Sequence, residues 1–318
     1  MVEEVAEGIY RVPSVLGIRR FAQWLVVGEE VLLIDTGIDG TISEHVMPAL
    51  SHLGIAPDRV TRAINSHADV DHYGGNAEVR ALLPACRIEA SATDRRLLEH
   101  WSVIGEERYG WYLHHGIEYA PEVLEWLHVS GGPDTPLDGD LLPGSTIELG
   151  GITVEVIALP GHSPGHVGVH HAPSGTAIVI DAVLERGLYS TDNRLISPPP
   201  YVSTSDYRAT VERLRALDPE RLGTSHYPET EGKVAVSAFL DATASFVDDL
   251  DACILDLLSA SPQPLIAFWE HADATIGPFP EMLVELARSV GAHLEDAEQR
   301  GLARRSEVDG RAAWSLAG

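Results

Sequence analysis

Only two cysteines, Cys86 and Cys253, occur in 318 residues. They stand far apart and in no metal-binding spacing, so neither a disulfide framework nor a cysteine zinc site follows from them. No run of eighteen or more apolar residues is present, which argues against a membrane-spanning helix. The chain starts Met1-Val2-Glu3-Glu4, acidic where a secretory signal would be basic and then apolar. These absences lead us to expect a cytoplasmic protein. Positive charge is scarce too, and the formal net charge is −26. Such a field repels phosphate backbones, so a general nucleic-acid binder is disfavoured, and it aids solubility. Internal repeats, low-complexity tracts and the Gly-x-Ser-x-Gly of a serine hydrolase are all missing.

What is there reads as a mixed α/β chain, long enough for one large domain and a small one. Short apolar, β-branched runs at 8–12, 22–27 and 31–34 predict strands, the last stopped by Asp35-Thr36-Gly37. Residues 42–53 have helical spacing, 60–65 form the next strand, and Gly74-Gly75 open a helix over 77–83. From about 94 to 142 aromatic residues crowd together, which predicts an inserted helical segment and a candidate lid. Strands return at 153–159, 167–171 and 177–180. An extended proline-rich loop at 197–201, a helix at 207–216 and a strand at 222–225 follow. Beyond 232 the pattern changes to a long helix over 235–259, another over 283–301, and two strands around the turn Asp309-Gly310. We therefore divide the chain into 1–232 and a helical, winged-helix-like unit at 233–318.

Chemistry concentrates in His67-Ala68-Asp69-Val70-Asp71-His72, which puts four potential metal ligands directly after a buried-looking strand. Alternate residues of an extended chain point the same way, so His67, Asp69 and Asp71 can face one centre, and a bend would add His72. Imidazole and carboxylate suit zinc, iron or manganese. The stretch Pro160-Gly161-His162-Ser163-Pro164-Gly165-His166 is a stiff loop, a good place for a ligand that must not move. Asp181 and His226 each close a strand. Taken singly, Asp181 could equally be a helix cap and His226 an ordinary buried histidine.

Together, in this order and spacing over about residues 8 to 230, these residues resemble the metallo-β-lactamase superfamily, with its H-x-H-x-D-H segment, Gly-His loop, bridging aspartate and last histidine. The resemblance implies an αββα sandwich with the metals at one edge. It also implies two divalent ions, zinc first. His67, Asp69 and His162 would hold one ion, and Asp71, His72 and His226 the other, with Asp181 between. Asp35 resembles the family's early aspartate, which buttresses the metal loop. His166 would then be structural. Within the family the chain is most similar to the glyoxalase II branch, except at Asp69, where most of its hydrolases have histidine. A carboxylate there resembles the flavodiiron proteins. Two divalent ions carry +4 and three aspartates −3, leaving +1, or neutrality with a bound hydroxide. An extra anion should weaken Lewis acidity and favour the harder iron or manganese. Aspartate is also shorter than histidine, so that site could be distorted, weak or empty.

The implied activity is metal-dependent hydrolysis, a dinuclear-site hydroxide cleaving a thioester, lactone or related ester in a small-molecule substrate, with Asp71 and Asp181 orienting the attacking group. Tyr73 and Tyr227 flank ligands and are candidate oxyanion donors. Trp101 and Trp111 are candidate pocket walls, although aromatic residues of this insert could instead anchor helices or form a homodimer contact. Other functions remain open. Asp69 suggests a di-iron redox or oxygen-handling protein, but no flavodoxin-like loop follows residue 232. Arg300, Arg304, Arg305 and Arg311 near the proposed wing suggest a metal-dependent nuclease or a ligand-sensing DNA-binding regulator, against the overall charge.

Overall fold

In the computed structural model, which describes residues 2–317, the first seven strands lie side by side in chain order. They are β1 (Glu3–Ala6), β2 (Ile9–Leu16), β3 (Arg19–Val27), β4 (Val31–Ile34), β5 (Val60–Asn65), β6 (Arg87–Ser91) and β7 (Gly139–Leu141). β1 to β4 form an antiparallel meander, and β4 to β7 run parallel. A second sheet follows from β8 (Thr146–Glu148), β9 (Thr153–Ala158), β10 (Val167–His171) and β11 (Thr176–Ile178). A small ladder of β12 (Leu188–Tyr189) and β13 (Leu195–Ser197) intervenes, and β14 (Arg221–Gly223) and β15 (Thr230–Glu231) complete the sheet. Only β11 and β14 pair in parallel within it.

The layering follows from the period of two along each strand. In β4, Leu32 and Ile34 face the second sheet, where Val154, Val156, Val169 and Ile178 meet them. Val31 and Leu33 point the other way, onto Ile42, Val46 and Leu50 of the helical stretch that ends in α1 (Met47–His52). A strand apolar on both faces must be covered on both. The outer face of the second sheet, with Ala177, Val179 and Leu222, is covered by Val211 and Leu214 of α7 (Thr204–Leu217). The result is the αββα sandwich that the motif pattern implied.

Between α1 and α7 lie α2 (Val70–Tyr73) and α3 (Asn76–Leu82), then the insert helices α4 (Arg95–Glu99), α5 (Trp101–Ile104) and α6 (Pro121–Ser130). The insert is shorter than expected: residues 139–141 are β7, because their backbone completes the parallel edge beside β6. After β15 come α8 (Lys233–Leu257) and α10 (Leu286–Gln299), as the pattern predicted, and between them α9 (Leu265–Ile276), which the pattern did not reveal. β16 (Gln263–Pro264), β17 (Ala303–Val308) and β18 (Arg311–Leu316) form a three-stranded sheet in the order β16-β18-β17. No helix of the described residues is long and apolar enough to cross a membrane.

Candidate metal centre

Strand β5 delivers the chain to the centre, and residues 66–69 leave the sheet without regular structure. The extended run expected through Asp71 stops at Asp69. The amide of His72 bonds the Asp69 carbonyl at 2.9 Å and that of Gly74 bonds the Val70 carbonyl at 3.0 Å, so Asp71 and His72 sit in the helical turn of α2. The turn packs tightly. A Cβ on Gly74 would lie 2.1 Å from the Ser130 carbonyl oxygen, and one on Gly75 2.3 Å from that of Thr36, so only glycine fits at either place.

Asp35, fully buried, ties this segment down from β4. Its Oδ1 accepts from the Ser66 amide at 2.7 Å. Its Oδ2 accepts from the Ser66 hydroxyl at 2.9 Å and from His72 Nδ1 at 2.8 Å. Because the Ser66 hydroxyl donates to Asp35, its oxygen is left to accept from His67 Nδ1, 2.9 Å away. His162 Nδ1 meets the Pro200 carbonyl at 2.7 Å, and His226 Nδ1 that of Arg20 at 3.1 Å. Four rings are thus held through Nδ1, which leaves Nε2 with its lone pair for the centre.

Those four nitrogens converge on three carboxylates. Asp69 Oδ2 lies 3.2 Å from His162 Nε2 and 3.8 Å from His67 Nε2. Asp181 Oδ2 lies 3.2 Å from His226 Nε2 and 3.5 Å from His72 Nε2. Asp71 is 3.7 Å from each of His72 and His226. Three donor groups result, each with its atoms within 4.8 Å of one another: His67, Asp69 and His162; Asp71, His72 and His226; and His67, His72 and Asp181. Nε2 of His67, Nε2 of His72 and Oδ1 of Asp181 are buried without a hydrogen-bond partner. Each such group costs about 1–3 kcal/mol when left unpaired. A pair of divalent cations would satisfy all three, and the nitrogen and oxygen donors suit them.

Electrostatics agree with that reading. Burial would push the Asp181 carboxyl up, but His226 and His72 hold it well below the usual range. Burial opposes ionisation of Asp69 too, and Arg108, then His162 and His67, outweigh it. His67 is pushed well below its usual value by burial, with the neighbouring rings adding to the effect, so it is neutral. His72 is raised in spite of burial because it faces Asp181, Asp71 and Asp35. A cation there would compete with its proton. His166 belongs to none of the donor groups; it stacks on His67 with ring centroids 4.8 Å apart.

The four residues expected to bind substrate do not line the cavity over the centre. Tyr227 gives its hydroxyl to the Leu184 carbonyl at 2.7 Å and packs on Phe239. Tyr73 is buried against Gly131. Trp101 stacks on His128, and Trp111 lies under Arg288 and against His115. Tyr73 and Tyr227 are buried, and Trp101 and Trp111 half-buried, in contacts with helical residues instead. The walls are Tyr109, Trp126, Leu127, Leu188 and Met282, with two arginines that no motif announced. Arg19 reaches Asp71 at 3.4 Å, and Arg108 reaches Asp69 at 2.9 Å.

A family model described as the metallo-beta-lactamase superfamily matches residues 22–226. A hydroxyacylglutathione hydrolase of Acidiphilium cryptum is 31% identical over 186 residues, covering 55% of this chain and 69% of the relative. One of Erythrobacter litoralis is 26% identical over 61% of this chain and 60% of its own. Among solved structures, a metallo-beta-lactamase family protein from Thermus thermophilus superposes with a TM-score of 0.75 at 21% identity, covering 98% of this chain and 100% of that one. A beta-lactamase domain protein from Burkholderia ambifaria gives 0.71 at 20% identity, with coverages of 99% and 95%. At these identities the structures speak for the fold alone.

Proposed function

The chain belongs to the metallo-β-lactamase superfamily, and from that premise we propose that it is a metal-dependent hydrolase that cleaves a carbonyl ester bond in a thioester, lactone or simple ester. One observation carries the proposal: four Nε2 atoms and three carboxylates converge, with three of the donor atoms buried and unpaired. His67, Asp69 and His162 would hold one ion and Asp71, His72 and His226 the other, with Asp181 between them. Bound there, the ions would supply Lewis acidity toward the carbonyl oxygen and an acidified water as the attacking group.

The chain's own residues do the rest. Asp71 and Asp181 line the cavity over the centre, which supports a role for them in orienting that water and taking its proton. The Tyr109 hydroxyl accepts the Val70 amide at 3.2 Å, so its own proton is left to donate to the developing oxyanion. Trp126, Leu127, Leu188 and Met282 exclude water around the carbonyl. The space over the centre is about 40 Å³, room for little beyond the reacting group. Beside it runs a groove of about 240 Å³ that shares Arg19, Trp126, Leu127 and Met282 and is lined further by Leu16 and Ile18. An apolar acyl or leaving group fits that groove. The glyoxalase II relatives support the thioester member of the set.

The test couples metal analysis to a screen of thioesters, lactones and phosphodiesters. We expect close to two ions per chain, and ester turnover that a chelator abolishes and added zinc restores. Full activity in metal-free protein, or turnover of phosphodiesters alone, would overturn the reading.

A further inference from the structure

Asp69 stands where most hydrolases of the family have histidine, and a single arginine accompanies it. Arg108, on the inserted segment, donates Nε to Asp69 Oδ1 at 2.9 Å and Nη2 toward Oδ2 at 3.3 Å. This two-pronged contact fixes the carboxylate plane. Oδ2, the more loosely held of the two oxygens, is the one aimed at His162 and His67. Arg108 is itself clamped. Its Nη1 donates to the Tyr112 hydroxyl at 2.7 Å and its Nη2 to Glu285 Oε2 at 2.9 Å. Tyr112 also donates to Glu285 Oε2, at 2.8 Å, and Tyr119 donates to Oε1. Glu285 is 3% exposed and immediately precedes α10, in the C-terminal unit.

We propose that Arg108 is the positioning residue that lets Asp69 serve as a metal ligand, and that Glu285 extends this support from the C-terminal unit. The inference rests on the metal reading above. The Asp69–Arg108 pair carries no net charge, as a neutral histidine carries none. Glu285 shares Arg108 with Asp69, and its own charge is met by the two tyrosine hydroxyls, with the Arg288 guanidinium close by over the Trp111 and Tyr112 rings. The preference for iron or manganese argued from three uncompensated aspartates therefore weakens, and zinc remains the expected ion. Arginine is suited to this task because its fork grips a carboxylate in one orientation, whereas lysine offers a point charge.

The experiment measures ion binding rather than turnover. Wild type, Arg108→Met, Arg108→Lys, Glu285→Gln, Asp69→His and the double variant Asp69→His/Arg108→Met are stripped of metal. They are then titrated with zinc against a chromogenic chelator, with circular dichroism confirming the fold. Outer partners of metal ligands are worth roughly 10–100-fold in affinity. Arg108→Met should lose that much for one ion and keep the other. Arg108→Lys and Glu285→Gln should lose less in the same direction. Asp69→His should also bind one ion weakly, because it leaves a buried guanidinium facing a cation. The double variant should recover both ions, which a merely structural Arg108 would not allow. Unchanged binding in Arg108→Met, or a double variant no better than the singles, would overturn the inference. Should Arg108→Met fail to fold, Arg108→Lys and the double variant decide the matter. Wild type that binds two ions yet cleaves no ester would defeat the proposed function and leave this inference intact.

Discussion

Replacing Asp35 by alanine would remove the partner of the Ser66 amide, the Ser66 hydroxyl and the His72 ring in one step. All three lie in the interior, and an unpaired buried polar group costs about 1–3 kcal/mol. We expect a loss of about 3 kcal/mol or more, read as a lower urea midpoint at unchanged slope. A midpoint equal to wild type would show that the loop does not depend on this aspartate. Asp181→Ala tests the centre itself. Partners of metal ligands are already worth roughly 10–100-fold, so losing a carboxylate that faces His72 and His226 together should cost at least about 100-fold in turnover, with metal content falling in parallel. Activity lost with full metal content would instead leave Asp181 a role in proton transfer alone. At this scale the sequence was informative where partners are near in the chain. His67, Asp69, Asp71 and His72 announce themselves by spacing. Arg108 and Arg19 do not, because their carboxylates lie 39 and 52 residues away and a lone arginine has no signature. The tyrosines chosen for their place beside ligands were misjudged for a related reason: neighbours in the chain can point into opposite compartments, and Tyr227 joins the core beneath α8.

The elements were legible where both faces of a strand or one face of a helix are apolar. Residues 31–34 and 60–65 were bounded as the structure has them. α9 was missed because the apolar Ile266, Ala267 and Trp269 fill in between the buried Leu265, Phe268 and Ala272 and blur their helical spacing, and β16 runs straight into its first residue. The tight docking of α2 against β4 and the end of α6 yields a contrast. Gly74→Ala drives a methyl into the Ser130 carbonyl, and overpacking of this kind costs about 1–3 kcal/mol. On Gly105 the same methyl would meet only the Trp101 ring, at an ordinary 3.4 Å, so Gly105→Ala should stay within about 0.5 kcal/mol of wild type. Equal effects in thermal or urea melts would contradict the packing described. α10 supplies a pH-dependent term. His293 is fully buried, bonded to the Tyr201 hydroxyl at 2.7 Å, and burial pushes its pKa below the ordinary 6.5, with Asp251 opposing in part. Below that ordinary value the unfolded chain takes up a proton that the folded chain refuses. The contribution of His293 is therefore complete above 6.5 and shrinks as the pH falls toward the lowered value. The urea midpoint should drop from pH 7 to pH 5 by more in wild type than in His293→Gln; identical slopes would exclude this residue as a source.

At the scale of the whole molecule, the change of pattern after residue 232 coincides with the start of α8, yet the cores do not separate there. Val236, Phe239 and Leu240, in the first half of α8, close the outer face of the second sheet with Leu214, Leu222 and Tyr227. Phe246, Val247 and Leu250, further along, join the core that also holds Tyr109, Tyr112 and Trp314. The basic residues on and beside the hairpin stay exposed, although Arg300, at the end of α10, pairs with Asp251 and Asp296 and Arg305 lies over the Trp314 ring. Burial of one large apolar side chain is worth about 1.5–3 kcal/mol. Uncovering three on the sheet alone approaches the usual folding margin of about 5–15 kcal/mol. A fragment ending at 232 should therefore bind a hydrophobic dye, show weak near-ultraviolet dichroism and melt without cooperativity, and a cooperative melt would refute the shared core. A fragment ending at 260 keeps α8 over the second sheet but lacks Glu285 and the helices around it. If covering the sheet is enough to fold the sandwich, this longer fragment regains a cooperative transition while one of its two ions binds more weakly than in the full chain. Equal binding in both would mean that the C-terminal unit serves the sandwich only as a cover.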